Sequence, residues 1–225
     1  MNFAFYVSGS AARLRGVLAE APPELLADTK LVVSDSSKNA DLAEPLRRRG
    51  IRFVCTEYDQ LAPARTARTE ALSRLLLAEF LASRIDYCFC FGNHVLRGEL
   101  LRTYAARIIN FHPSLLPMFP GRNAIDQAVK AGAHLLGNTA HFIVDEVDAG
   151  PVIMQSVLPA ADFHASGYDA VLDLQRPMLY QIHAWLKAGR LSVAGGRVQL
   201  AGVPAGAAAF FPAGESLGST PARPR

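Results

Sequence analysis

Short apolar runs alternate with helical patterns along the first half of the chain. Asn2–Val7 and Lys30–Ser34 are apolar, strand-like runs, and a helical pattern over Ala11–Glu20 separates them. The alternation continues with a helix over Ala40–Arg49, a strand over Ile51–Cys55, a helix over Arg65–Ser83 and a strand over Asp86–Phe91. Strands and helices at this spacing form a parallel sheet through right-handed crossovers. We therefore predict an α/β fold, a Rossmann-like, mostly parallel, twisted sheet with helices on both faces.

The second half adds elements around a proline-rich loop. A helix near Arg97–Tyr104 and a strand over Arg107–Phe111 are predicted before this loop. After the loop we predict a helix near Asn123–Ala131, strands over Gly137–Val144 and Val152–Leu158, and a long helix over Asp169–Ala188. These elements complete one predicted domain over residues 1–203.

Residues 204–225 differ from the rest of the chain in composition. Ala, Gly, Pro and Ser dominate this segment, and such a sequence buries too little apolar surface to order by itself. We predict a flexible tail. Phe210 and Phe211 are the exception, because adjacent aromatic side chains could attach part of the tail to the domain or to a second subunit in a homodimer.

Composition and charge narrow the possible partners. With 225 residues, of which 50% are hydrophobic, the chain can fill one domain. The formal net charge is +3, and the only tight basic run, Arg47–Arg49, ends a predicted helix. Such a run is usually a solvated surface, so we expect no nucleic-acid partner.

The cysteines and the apolar segments point to a reducing compartment. Cys55, Cys88 and Cys90 are odd in number and occur in strand-like runs, which favours reduced thiols over disulfides. A Cys-x-Cys pair alone is not a zinc site, and we expect no metal. The first residues run directly into a strand, and no window approaches the ~18 apolar residues of a membrane span. We expect a cytoplasmic protein without a membrane partner.

Candidate chemistry lies at the end of the strand Arg107–Phe111. In open α/β sheets ligands bind beyond the carboxyl ends of the strands. Asn110 and His112 are two residues apart there, so both side chains point to one face, and Pro113 restricts the chain just beyond them. An amide can hydrogen-bond an oxyanion, and an imidazole can transfer a proton near neutral pH.

An acidic loop, Asp145–Pro151, provides the third candidate element. Its Gly and Pro favour a tight turn that can hold a carboxylate in place, and a buried Asp near His112 would raise the imidazole pKa. From spacing alone two interpretations stay open. These residues are either structural and solvated, or they form a catalytic group.

A longer motif resembles a known family. The block Asn110–Gly121, followed by Asn123–Gly132, Gly137–Phe142 and Asp145–Ile153, is similar to the folate-dependent formyltransferases, and among them to the glycinamide ribonucleotide transformylases. The resemblance is strongest over roughly residues 85–160. It implies the formyltransferase fold and transfer of a formyl group from N10-formyltetrahydrofolate to a primary amine, without a metal.

The resemblance also implies roles for individual residues. Asn110 and protonated His112 would hold the oxyanion of a tetrahedral intermediate, and Asp148 would orient His112 and water. The folate pocket would be formed by two segments, whose residues are His94, Val95, Leu96, Val144, Asp145, Glu146 and Val147. His94 occupies a position where relatives often carry arginine, and Val95 and Leu96 would look the same in sequence if they were ordinary core residues.

The acceptor site departs from the family pattern. Ser8 and Gly9 lead into a turn where ribonucleotide-accepting relatives have Gly-Ser-Asn, whose backbone amides bind phosphate. Here the turn reads Ala11, Ala12, Arg13, so the freedom of glycine is lost. Arg13 either offers the phosphate a charge, or excludes that substrate and binds another anion such as a nucleotide-sugar diphosphate, or is a plain surface residue. Gln175 replaces an acidic residue of the relatives.

Several activities fit this combination. A small anionic amine, linked to phosphate or a nucleotide, is the expected partner, either glycinamide ribonucleotide or, about as well, an amino sugar nucleotide or another specialised amine. Formyltetrahydrofolate hydrolases usually carry a regulatory domain ahead of the shared triad, and methionyl-tRNA formyltransferases add a C-terminal barrel, so both are less favoured. The complete triad argues against an inactive folate-binding module.

Overall fold

The computed structural model describes residues 1–160, 163, 167–202 and 210–211. Its strands are β1 (Phe3–Val7), β2 (Thr29–Ser34), β3 (Arg52–Cys55), β4 (Tyr87–Phe91), β5 (Ile108–His112), β6 (Leu135–Phe142), β7 (Val152–Pro159), β8 (Leu191–Ala194), β9 (Arg197–Leu200) and β10 (Phe210–Phe211). Eight of them form a sheet in the order β10-β7-β6-β5-β4-β1-β2-β3. Only β6 runs antiparallel to its neighbours in this sheet, so the prediction of a mostly parallel sheet is confirmed.

Helices cover both faces of the sheet. They are α1 (Ala12–Glu20), α2 (Pro23–Asp28), α3 (Ala43–Arg48), α4 (Arg65–Ala82), α5 (Glu99–Thr103), α6 (Ala124–Lys130), α7 (Tyr168–Asp173) and α8 (Gln175–Lys187). Along β1, Phe3 and Phe5 belong to a core cluster that includes residues of α1 and α8, whereas Ala4 and Tyr6 belong to one that includes residues of α4 and α5. This alternation follows from the two-residue period of a strand and explains why β1 is fully buried.

The predicted long helix Asp169–Ala188 is wrong as a single element. Two helices, α7 and α8, meet at Leu174, which caps both of them. Pro177 provides the physical reason. It has no N–H to bond to the carbonyl of Asp173, and its ring clashes with that carbonyl in a continuous helix.

Two further differences from the prediction have local causes. The predicted helix Ala40–Arg49 starts as a 3₁₀ helix over Ser37–Leu42 and is α-helical only over Ala43–Arg48, whose first turn contains Pro45. Helix α2 and the hairpin of β8 and β9 were not predicted. Each has a signal in the sequence. Helix α2 has a proline at its first position, and the hairpin has a Gly-Gly turn in which both residues have positive φ.

The described part of the predicted tail lies at the edge of the sheet. Phe210 and Phe211 pair in parallel with Gln155 and Ser156 of β7. The backbone of these two residues is therefore attached to the domain, which is one of the two attachments that we predicted for them. The remainder of residues 204–225 lies outside the described residues. Among the described helices, none is long and apolar enough to cross a membrane.

Candidate active site

A cavity of about 1000 Å³ follows the carboxyl edge of the sheet. The loops after β1, β2, β4 and β5 line it, which is the usual ligand position in an open α/β sheet. We call the part around Asn110, His112, His141 and Asp148 the reaction end. The part around Ser8, Gly9, Arg13 and Asp35 is called the acceptor end.

The reaction end brings the three predicted catalytic residues together. His112 ends β5 with its side chain 6% exposed, and its Nδ1 lies 3.4 Å from Asp148 Oδ2. The other ring nitrogen, Nε2, lies 2.9 Å from the backbone carbonyl of Phe119. Both partners are acceptors, so both ring nitrogens are placed to donate, as in an imidazolium ion. The geometry suits a group that gains and loses a proton.

The loop between β6 and β7 fixes the position of Asp148. Asp148 adopts a left-handed backbone conformation with φ 56°, which Asp tolerates better than most residues. Gly150 passes so close to β6 that an added Cβ would lie 1.7 Å from the carbonyl oxygen of Phe142. From the facing loop, the backbone N–H of Gly121 donates to Asp148 Oδ2 at 2.7 Å. The carboxylate is therefore held from two sides.

His141 is a functional candidate that we did not single out from the sequence. It lies opposite Asn110 in the antiparallel pair of β5 and β6, and Asn110 Nδ2 is 3.2 Å from His141 Nε2. Nδ1 of His141 donates to the carbonyl of Phe142, so Nε2 is free to accept from the amide. Burial lowers the pKa of His141, which favours this neutral ring. Only the cross-strand register reveals the pairing, because the two residues are far apart in sequence.

Two segments form the wall predicted to bind folate. His94, Val95 and Leu96 follow β4 and line the cavity. Val95 is 38% exposed, whereas Leu96 is buried and packs in the core near α4. In the opposite loop Val144, Glu146 and Val147 line the cavity; Asp145 is exposed and does not.

Two residues that we did not select from the sequence hold His94 in place. Its ring stacks on Tyr58 with centroids 3.5 Å apart, and its Nε2 lies 3.5 Å from Asp35 Oδ2. Burial lowers the pKa of His94, and the neighbouring Asp35 opposes that change. This part of the cavity wall is thus a stacked imidazole beside a carboxylate.

Only part of the turn before α1 reaches the cavity. Ala11 adopts φ 52° and ψ 28°, the left-handed conformation that favours glycine. Ala11 takes up this conformation in spite of its Cβ, so the turn keeps a glycine-like backbone without the conformational freedom of glycine. Ala12 begins α1, and neither Ala11 nor Ala12 lines the cavity, whereas Ser8 and Gly9 do.

Arg13 lies in the cavity wall rather than on the surface. Its Nη1 donates to Gln175 Oε1 at 2.9 Å, its Nη2 donates to the carbonyl of Phe91 at 3.0 Å, and its guanidinium carbon lies 4.6 Å from the Phe91 ring centroid. Burial lowers the pKa of Arg13 to about 10, so it stays charged at neutral pH. No carboxylate of the described residues lies within 4 Å of it.

Gln175 supports Arg13 from behind. It is buried and does not itself line the cavity. Its Nε2 donates to Asn138 Oδ1 at 2.7 Å, which leaves Oε1 for Arg13. An acidic residue here would neutralise the guanidinium, whereas the amide leaves the positive charge of Arg13 available.

Comparisons with known proteins agree with this geometry. The profile of the family described as formyl transferase matches residues 1–175. The chain is 30% identical over 196 residues to the phosphoribosylglycinamide formyltransferase of Escherichia coli (strain K12), which covers 86% of this chain and 90% of that protein. The crystal structure of glycinamide ribonucleotide transformylase 1 from Symbiobacterium toebii superposes with a TM-score of 0.74 at 30% identity, covering 89% of this chain and 93% of that one.

A deformylase is also among the relatives. Formyltetrahydrofolate deformylase 2, mitochondrial, of Arabidopsis thaliana is 31% identical over 139 residues, 60% of this chain and 39% of that protein. Family membership therefore does not by itself select the acceptor. Because the family profile spans most of the chain and the Escherichia coli relative matches nearly its full length, the chain belongs to the formyl transferase family, and the prediction of a formyltransferase is confirmed.

Proposed function

We propose that the protein transfers a formyl group from N10-formyltetrahydrofolate to the primary amine of a small acceptor that carries an anionic group. The observation that carries this proposal is the convergence of Asn110, His112 and Asp148 at one end of a cavity that can hold both reactants. The names of the curated relatives make glycinamide ribonucleotide the first candidate acceptor.

The reaction end can perform the transfer with its own side chains. As the acceptor amine attacks the formyl carbon, the Asn110 amide and the His112 ring stabilise the negative charge on the formyl oxygen. Asp148 keeps His112 oriented and balances its positive charge. The C–N10 bond then breaks, and the proton that the amine loses replaces the formyl group on N10. No atom is left over and no oxidant or reductant is needed.

The wall opposite the triad suits a folate. Val95 and Val144 are each 38% exposed and face the cavity with Ile143, which offers apolar surface to a flat ring. The volume, about 1000 Å³, reaches the upper end of the range for small-molecule sites. Ring and acceptor can therefore be bound side by side, with the formyl group near His112.

The acceptor end favours an anionic group, although its residues Arg13 and Gln175 differ from the pattern expected for a ribonucleotide acceptor. Arg13 is a half-buried cation facing the cavity with only neutral hydrogen-bond partners, so an anionic group of the acceptor would supply the missing charge. The changed residues Arg13 and Gln175 favour the second candidate class, a specialised amine such as an amino sugar nucleotide.

Product analysis with and without an amine tests the proposal. The protein is incubated with N10-formyltetrahydrofolate and either glycinamide ribonucleotide, an amino sugar nucleotide or no amine, while deformylated folate is followed by absorbance and the formylated product by mass spectrometry. We expect folate release to require an amine and to match the formylated product. Formate release at the same rate without amine would instead identify a hydrolase.

A further inference from the structure

Asp35 is a buried carboxylate at the acceptor end that the transfer chemistry does not use. It follows β2, and its backbone N–H donates to the carbonyl of Val7 at the end of β1. Its side chain is 2% exposed and lines the cavity. The hydroxyl groups of Tyr6 and Ser8 donate to its Oδ2 at 2.6 and 2.5 Å. These donors fix the carboxylate in one orientation.

The charge of Asp35 is left without a cation. Its Oδ1 accepts no hydrogen bond from the part of the chain that the structure describes. Within 4 Å of its carboxylate, the only basic nitrogen of the described residues is Nε2 of His94, whose pKa burial lowers. Burying an unpaired charge is costly, and neutral hydroxyl groups offset only part of that cost. A purely structural residue here could be an asparagine.

Two uncompensated charges of opposite sign therefore share the acceptor end. Asp35 follows β2, Arg13 bonds to the last residue of β4, and β1 separates these two strands. Strands lie about 4.8 Å apart, so the two strand ends are about 10 Å apart. The Asp35 carboxylate shortens this gap, because it reaches toward the intervening strand and accepts from Tyr6 and Ser8. The next strand, β5, carries Asn110 and His112. Along the edge of the sheet the order is carboxylate, guanidinium, reaction end.

This order constrains the acceptor. A carboxylate and an ammonium group on one carbon atom can bridge a guanidinium and a carboxylate, since two charge-assisted hydrogen bonds of about 2.8 Å and an N–Cα–C span of about 2.5 Å together reach about 8 Å. A sugar phosphate supplies the anion but no cation for Asp35. An α-amino acid supplies both.

Building on the proposed function, we propose that the acceptor is a small diamino acid. Its side-chain amine takes the formyl group, its carboxylate pairs with Arg13, and its α-ammonium group pairs with Asp35. The Gln175 amide keeps Arg13 available for this carboxylate, and the Tyr6 and Ser8 hydroxyl groups keep Asp35 pointing at the ammonium group.

Matched pairs of acceptors test the proposal with the intact protein. Ornithine is compared with 5-aminopentanoic acid, and lysine with 6-aminohexanoic acid, since the members of each pair differ only in the α-ammonium group. With saturating N10-formyltetrahydrofolate at pH 8, kcat/KM is expected to be about 10- to 100-fold higher for the preferred diamino acid than for its deaminated analogue. Mass spectrometry should place the formyl group on the side-chain nitrogen.

The variant Asp35→Asn keeps the size and the hydrogen bonds of the side chain and removes its charge. We expect it to abolish the preference for the α-ammonium group, so that kcat/KM becomes similar for the two members of each pair. Asp41→Asn is the matched control, because Asp41 is an exposed carboxylate paired with Arg15. If Asp35→Asn does not fold, the diamino-acid inference is tested by the wild-type protein alone, through its preference for each diamino acid over the deaminated analogue.

The outcomes separate this inference from the proposed function. If no amine is formylated, including glycinamide ribonucleotide and amino sugar nucleotides, the proposed function fails. If those acceptors are formylated while diamino acids are not, or if both members of each pair react equally well, only the diamino-acid inference is overturned. A preference that survives Asp35→Asn overturns the role of Asp35.

Discussion

At the reaction end, the ionisable side chains face each other: His112 has Asp148 beside one nitrogen and a carbonyl beside the other, and Asn110 lies against His141. At the acceptor end, the charged side chains face the cavity, and their partners are neutral groups or a histidine whose pKa is lowered. The first arrangement is complete without a ligand. The second leaves a buried carboxylate and a half-buried guanidinium to be compensated.

This difference has a physical reason. A site for chemistry benefits from groups that hold one another in the reactive geometry before the substrate arrives. A site for recognition gains specificity from charges that only the correct ligand neutralises. Substitutions at the two ends should therefore change different kinetic constants.

His112→Ala should have the largest effect. Removal of the imidazole eliminates proton transfer and part of the charge stabilisation, so we expect kcat to fall by about 10³-fold or more. The exposed His134 provides the control, and His134→Ala should keep wild-type rates. Circular dichroism and thermal melting should show that both variants fold. A kcat within tenfold of wild type for His112→Ala would contradict a catalytic role.

Asp148→Asn should follow, with kcat lower by about 10²-fold. The amide retains the size of the side chain but no longer balances the charge of His112. We expect the KM for N10-formyltetrahydrofolate to change little, which steady-state kinetics with each substrate varied in turn can measure. Asp169→Asn, at an exposed position, is the control. An effect confined to KM would mean that Asp148 binds rather than orients.

Arg13→Gln should act on the other end. Loss of a charge-assisted hydrogen bond is worth about 1.5–3 kcal/mol, so the KM for the acceptor should rise by about 10- to 100-fold while the KM for the folate stays constant. Arg15→Gln, in the same helix, removes a half-exposed ion pair with Asp41 and should leave both constants unchanged. Equal losses for both substrates would indicate that Arg13 only supports the fold.

The smallest effect should be on stability and its pH dependence. Burial lowers the pKa of His141 at the reaction end and of His183, which bonds to Asp28. A lowered pKa stabilises the folded state above the unfolded value near 6.5, and this contribution is lost as the pH falls through the folded value. The free energy of unfolding by urea should therefore decrease from pH 7 to pH 5. His183→Gln, outside the cavity, should make this decrease smaller without changing kcat at pH 7.5.

Much of the fold was predictable because its signals are local. The strands β1 to β5 are apolar runs bounded by polar residues, and helical periodicity marks α1 and α4. The predicted bounds of two helices were wrong, because a proline interrupted the helix although the hydrophobic periodicity continued through the segment. Pro177 divided a predicted helix, and Pro45 shortened another. Both errors were avoidable, since the effect of a proline on the preceding turn is fixed by its ring.

The sequence by itself determined the arrangement of catalytic candidates that lie close together along the chain. Asn110 and His112 are two positions apart on one strand, so their common direction is fixed by strand geometry. Asp148 was found through the family motif. The tertiary structure alone decided that His141 faces Asn110, that Gln175 supports Arg13, and that Asp35 opens into the same cavity. These pairs are separated by 31 residues in the first case and 162 in the second, and only the order of strands in the folded sheet brings such distant side chains together.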